Sequence, residues 1–134
     1  DFSKINTYEM TQKGSKAALI GLGTFYSLAK EVAAEIEAKT GTKATVINPY
    51  YITGIDQAML EDLKKDHDVV VTLEDGILDG GFGEKIARFY GNSNVKVLNF
   101  GLKKEFLDRY NVEDVLKANH LTKDQIVADI ISTL

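Results

Sequence analysis

The chain has 134 residues, 44% of them hydrophobic and 27% charged, a balance that fits one globular domain with a substantial core. A formal net charge of −4 and a pI near 5.2 exclude a general nucleic-acid or membrane-surface binder, which needs a basic patch. With no cysteine there is no disulfide framework, thiolate nucleophile or cysteine-based zinc site, and no apolar run approaches the ~20 residues of a membrane span. Nothing at the start resembles a signal peptide, so the cytoplasm is the expected compartment. The start at Asp1, without a methionine, reads as that of a piece of something longer.

Residues 1–12 are polar, with scattered apolar positions at Phe2, Ile5, Tyr8 and Met10, and read as a linker arm carrying a short edge strand at 8–10. Lys13-Gly14-Ser15 is a turn, and residues 13–134 form the domain proper. Ala17-Ala18-Leu19-Ile20-Gly21 is a continuous apolar run, which suits a strand buried on both faces. A helix over 25–39 follows. Leu28, Val32 and Ile36 recur every four residues, with Ala29 and Ala33 beside them. Thr24 is placed to cap this helix and Thr40-Gly41 to stop it.

The β-branched run at 44–48 predicts a second buried strand, ended by Pro49, the only proline. Tyr50-Tyr51-Ile52-Thr53-Gly54 is a loop, and Asp56 caps a helix to about Lys65 with Met59, Leu60 and Leu63 inside. Val69 to Leu73 is the central strand, followed by an acidic, glycine-rich turn at 74–83. Phe82, Ile86, Phe89 and Tyr90 mark a third helix, and 95–100 a fourth buried strand. Short helices are expected near 104–107 and 112–118. The last helix starts at Thr122, where Thr122-Lys123-Asp124-Gln125 has the form of a capping box and Leu121 with Ile126 that of a hydrophobic staple. Strands alternating with helices make an α/β fold with a mostly parallel sheet covered on both faces.

Four places bear on function. Gly21-Leu22-Gly23 lies between a strand and a helix, as a dinucleotide site requires. The third glycine position is Tyr26, however, whose bulk is expected to block close helix–strand approach, and Asn48-Pro49 stands where a ribose-binding acid belongs. Gly80-Gly81-Phe82-Gly83 opens a helix, where free N–H groups favour an anion, yet Glu74, Asp75 and Asp79 crowd the same turn and would repel a phosphate. Glu74 and Asp75 are neighbours on a strand end and point to opposite sides, which argues against shared chelation of a metal. His67 and His120 show no partner and are expected at the surface or in turns, while Tyr50 and Tyr51 sit where an aromatic pair lines a cleft or an interface. No self-contained catalytic constellation emerges.

The order of the pieces resembles the C-terminal domain of the transketolase family. Ala17-Ala18-Leu19-Ile20-Gly21-Leu22-Gly23-Thr24 is similar to that domain's first strand and turn, and Val71-Thr72-Leu73-Glu74-Asp75-Gly76 with Gly80-Gly81-Phe82-Gly83 to its main signature. Val97-Leu98-Asn99-Phe100-Gly101-Leu102, Phe106, Leu116 and Leu121 match best within the 1-deoxy-D-xylulose-5-phosphate synthase branch. The loop at 50–54 departs from the pattern, lacking the arginine–phenylalanine and lysine–proline usual there, while Asp56 is kept.

The resemblance implies a three-layer α/β/α fold with a five-stranded sheet, one N-terminal strand of which runs antiparallel. It also implies that thiamine diphosphate, magnesium and the sugar-phosphate substrate are held mainly by two preceding domains of a homodimeric enzyme. That enzyme condenses pyruvate with glyceraldehyde 3-phosphate, losing carbon dioxide, in isoprenoid precursor synthesis. No catalytic, cofactor-binding or metal residue carries over to this chain. Tyr50, Tyr51, Glu74, Asp75, Asp79, Gly80, Gly81, Phe82 and Gly83 become candidates for interdomain or dimer contact. The alternatives are a freestanding small-ligand or nucleotide-binding regulatory module using the crevice at 21–24 and 80–83, or the equivalent domain of another family member.

Overall fold

A computed structural model describes residues 8–22, 25–49, 55–74, 82–101 and 122–134. In chain order the elements are β1 (Glu9–Gln12), β2 (Lys16–Gly21), α1 (Phe25–Thr40), β3 (Thr45–Asn48), α2 (Gln57–Leu63), β4 (His67–Glu74), α3 (Phe82–Tyr90), β5 (Lys96–Gly101) and α4 (Lys123–Thr133). The expected helices near 104–107 and 112–118, the loop at 50–54, Thr24, Leu121 and His120 lie outside the described residues.

The strands form one five-stranded sheet in the order β1-β3-β2-β4-β5. β2 pairs in parallel with β3 and β4, β4 in parallel with β5, and β1 antiparallel with β3. The apolar runs explain this arrangement. Side chains alternate across a strand, so a run that is apolar at every position must be covered on both faces. Val69, Val71 and Leu73 of β4 pack with Ala17 and Leu19 of β2 against α1 and α4. Val70, Ala18, Ile20 and Ile47 pack on the other face against Leu60 and Leu63 of α2 and Ile86 and Tyr90 of α3. Each such fully buried aliphatic side chain contributes roughly 1.5–3 kcal/mol.

Several ends differ from the sequence reading. The edge strand runs Glu9–Gln12, and Thr11 is bulged out of register between Met10 and Gln12. Such a bulge twists a short edge strand away from further pairing. β4 begins at His67 and so takes in a residue expected at the surface. The α2 cap is as expected: Asp56 Oδ1 accepts from the Met59 N–H at 3.2 Å. At α4 the Thr122 hydroxyl accepts from Gln125 N–H at 3.4 Å and donates to Gln125 Oε1 at 2.8 Å.

The expectation that Tyr26 blocks close packing of α1 on the sheet fails. A Cβ on Gly21 would lie 2.8 Å from Phe25 O and from Tyr26 Cα, and 3.0 Å from Ala29 Cβ. The helix backbone therefore does approach the strand closely, through Gly21 and Ala29. The Tyr26 ring is directed aside instead, its hydroxyl donating to Thr11 Oγ1 at 2.7 Å on the edge strand.

Candidate contact site at the carboxyl end of the sheet

β2 feeds α1 on one face and leads to β3 on one side, whereas β4 feeds α3 on the opposite face and leads to β5 on the other. The order of connection reverses between β2 and β4, and the carboxyl ends of those strands are where ligands of open α/β sheets usually sit. Glu74, at the end of β4, and Phe82 and Gly83, at the start of α3, occupy this place. The candidates Tyr50, Tyr51, Asp75, Asp79, Gly80 and Gly81 lie outside the described residues.

Glu74 is 5% exposed, and its Oε1 accepts from the Gly83 N–H at 3.4 Å. The first N–H groups of a helix have no partner within it, and together with the helix dipole they attract negative charge. At α3 the chain's own carboxylate takes that role. Gly83 is needed because α3 lies directly on the sheet: a Cβ there would come 2.7 Å from Asn99 Cγ and 3.0 Å from Thr72 Oγ1. Thr72 and Asn99 are register partners on β4 and β5, and the Thr72 hydroxyl donates to Asn99 Oδ1 at 2.6 Å. Both residues stand within the family-like runs of the sequence, but their contact is not visible there, because it depends on the pairing register of two strands and joins residues 27 positions apart.

Two further residues reach the same end from a distance. Tyr8, 4% exposed, stacks obliquely on Phe82 with ring centroids 6.1 Å apart. Its backbone N–H donates to Asp56 Oδ2 at 2.9 Å, so the carboxylate that caps α2 also ties down the N-terminal arm. Burial pushes the Tyr8 phenol up to about 12; the Asp56 backbone works against that shift and the nearby Asp56 charge adds to it. Tyr90 is raised as well, by burial first and then by the charge of Glu61, and its hydroxyl donates to Leu60 O at 2.7 Å. Both phenols are therefore neutral at ordinary pH and serve as packing groups, not proton carriers.

The opposite end of the sheet holds a second buried polar group. His67 is 4% exposed, which corrects its expected surface position. Its Nδ1 lies 3.1 Å from Leu63 O and 2.6 Å from Asp66 Oδ1, both acceptors, so Nδ1 carries the proton. In the neutral ring Nε2 then accepts from the Thr45 hydroxyl at 2.7 Å, and Thr45 Oγ1 itself accepts from the Gly14 N–H at 2.9 Å. A groove of about 280 Å³ between α1 and the edge strands is lined by Thr11, Gln12, Tyr26, Lys30 and Val46. Its polar groups are engaged with each other, Thr11 Oγ1 donating to Val46 O and Gln12 Nε2 to Ala44 O. Among the described residues no three His, Asp or Glu side chains converge as metal ligands would.

The family model for the transketolase C-terminal domain matches residues 6–126. This chain belongs to that family. Among curated relatives, the 1-deoxy-D-xylulose-5-phosphate synthase of Geobacillus thermodenitrificans is 31% identical over 133 residues, covering 97% of this chain and 21% of its own length. The synthase of Lysinibacillus sphaericus is 29% identical over 127 residues, covering 92% and 20%. The chain thus spans about one fifth of the relatives it matches. A solved split-gene transketolase, described as an inactive beta4 tetramer, superposes with a TM-score of 0.83 at 24% identity, over 96% of this chain and 42% of that one. The transketolase of Campylobacter jejuni superposes at 0.63 and 20% identity, over 95% and 18%. The mixed sheet with its antiparallel edge strand is thus the fold of transketolase C-terminal domains, as the sequence resemblance implied.

Proposed function

We propose that this chain is the C-terminal domain of a 1-deoxy-D-xylulose-5-phosphate synthase and works there in structure and assembly, without catalytic activity of its own. The full enzyme would be a cytoplasmic homodimer joining pyruvate to glyceraldehyde 3-phosphate with loss of carbon dioxide. Thiamine diphosphate and magnesium would be held by the preceding domains. Identity of about 30% along nearly the whole chain to synthases from several bacteria supports the membership. The observation that carries the assembly reading is Glu74. A diphosphate bound at this switch point would need the α3 N-terminus, and there the buried Glu74 carboxylate already accepts from Gly83 N–H and would repel it. The described residues do not fit thiamine diphosphate, and no step is assigned to them.

The test is Asp75→Lys, beside Glu74, in the full-length enzyme, followed by sedimentation and steady-state kinetics. The expected outcome is weakened assembly or stability; a rise in KM alone would overturn the reading. Calorimetric titration of the 134-residue chain with thiamine diphosphate and magnesium is the companion measurement, and saturable micromolar binding would count against it.

A further inference from the structure

The arm before β2 joins the sheet as β1, and at Tyr8, just ahead of that strand, it meets the starts of two helices. Tyr8 contributes three contacts of different kinds: its ring lies on Phe82, its N–H bonds the Asp56 carboxylate, and its buried body joins the cluster of Ile20, Leu22, Ile47 and Leu60. Phe82 is the first residue of α3, one position before the Gly83 amide that Glu74 accepts from. Asp56 in turn holds the first turn of α2 through Met59 N–H. The arm thus touches the starts of both helices on this face, and touches α3 where the candidate contact site lies.

We propose that the chain at Tyr8 is a strap that positions the α3 start, so that docking of Tyr8 and the order of the Glu74–Gly83 contact are one coupled event. The inference rests on the assembly reading for its purpose, since the arm enters the domain from its N-terminal side, where the preceding domains would attach. Tyr8 is a positioning residue in this scheme: it acts on the Glu74–Gly83 contact through Phe82. Its aromatic ring carries the coupling to α3 through Phe82, while the phenol oxygen lies against the Asp56 backbone at the start of α2.

Backbone hydrogen exchange, read residue by residue on the 134-residue chain, tests this without reference to assembly. In Tyr8→Ala the amides of Gly83, Glu84 and Ile86 are expected to exchange roughly tenfold faster, the scale of losing one aromatic pair. Those of α4, on the far face, are expected to stay unchanged. Tyr8→Phe keeps the ring, and its α3 amides are expected to match those of the parent chain. Should Tyr8→Ala fail to fold, Tyr8→Leu keeps the bulk and loses the ring pair, and the same selective acceleration at α3 is expected. Equal acceleration in α4 and α3 would make Tyr8 an ordinary core residue, and no acceleration at Gly83 would show the two are uncoupled. Either result overturns the strap and leaves the Asp75→Lys test standing.

Discussion

At the amino end of the sheet, polar groups from four segments close on the buried Thr45 and His67: Gly14 donates to Thr45, Thr45 to the neutral ring of His67, and His67 to Leu63 O and Asp66. At the carboxyl end, the polar groups Thr72, Asn99 and Glu74 meet the start of a helix, and glycine lets that helix come down on them. The first arrangement centres on the Thr45–His67 side-chain pair, with backbone groups at either end. The second depends on the placement of one helix terminus. Burial of a polar group is therefore a poor guide to function in this fold. Position separates the two: the carboxyl end lies where the connections reverse, and there the Glu74 carboxylate meets the backbone of a helix start.

The largest loss is expected at His67. Replacing it with alanine opens a cavity under β4 and leaves the Leu63 carbonyl and the Thr45 hydroxyl short of a partner. Lost packing and unpaired polar groups together are expected to cost about 3 kcal/mol. Urea unfolding monitored by circular dichroism measures this, and a loss under about 1 kcal/mol would mean the network is dispensable.

Gly83→Ala is the corresponding change at the other end. Its Cβ would press on Asn99, and the helix start or the Thr72–Asn99 pair must shift. Overpacking of this kind costs about 2 kcal/mol. The clash is with a side chain, so the double variant Gly83→Ala/Asn99→Ala should recover part of the loss. A double-mutant cycle measures the coupling, and strict additivity would place the strain elsewhere.

How much of this was legible in the sequence follows from the range of the forces. The parallel sheet was legible because unbroken apolar runs such as Val69-Val70-Val71 can only be buried on both faces, and Asp56 was legible as a cap because capping is local. The fate of His67 was not. Its partner Thr45, itself bonded by Gly14, comes from another segment, and nothing near His67 marks it. Tyr26 misled for a related reason. The volume of a side chain says how much room it takes but not its direction, and here Gly21 and Ala29 make the contact while Tyr26 turns to the edge strand. The acidic turn was found as a place worth attention, yet the role of Glu74 depends on the fold bringing Gly83 N–H to it.

The smallest expected effect discriminates most sharply. Glu74→Gln keeps an acceptor for Gly83 N–H while removing the charge at the α3 N-terminus. If the carboxylate serves the fold, its interaction with the helix dipole is lost, at a cost of about 0.5–1 kcal/mol in a thermal melt at low salt. A gain in stability would reverse the conclusion. It would mean that a buried negative charge is maintained there against the preference of the folded domain, as groups kept for binding often are. The likeness between the two ends of the sheet would then stop at their both holding buried polar groups.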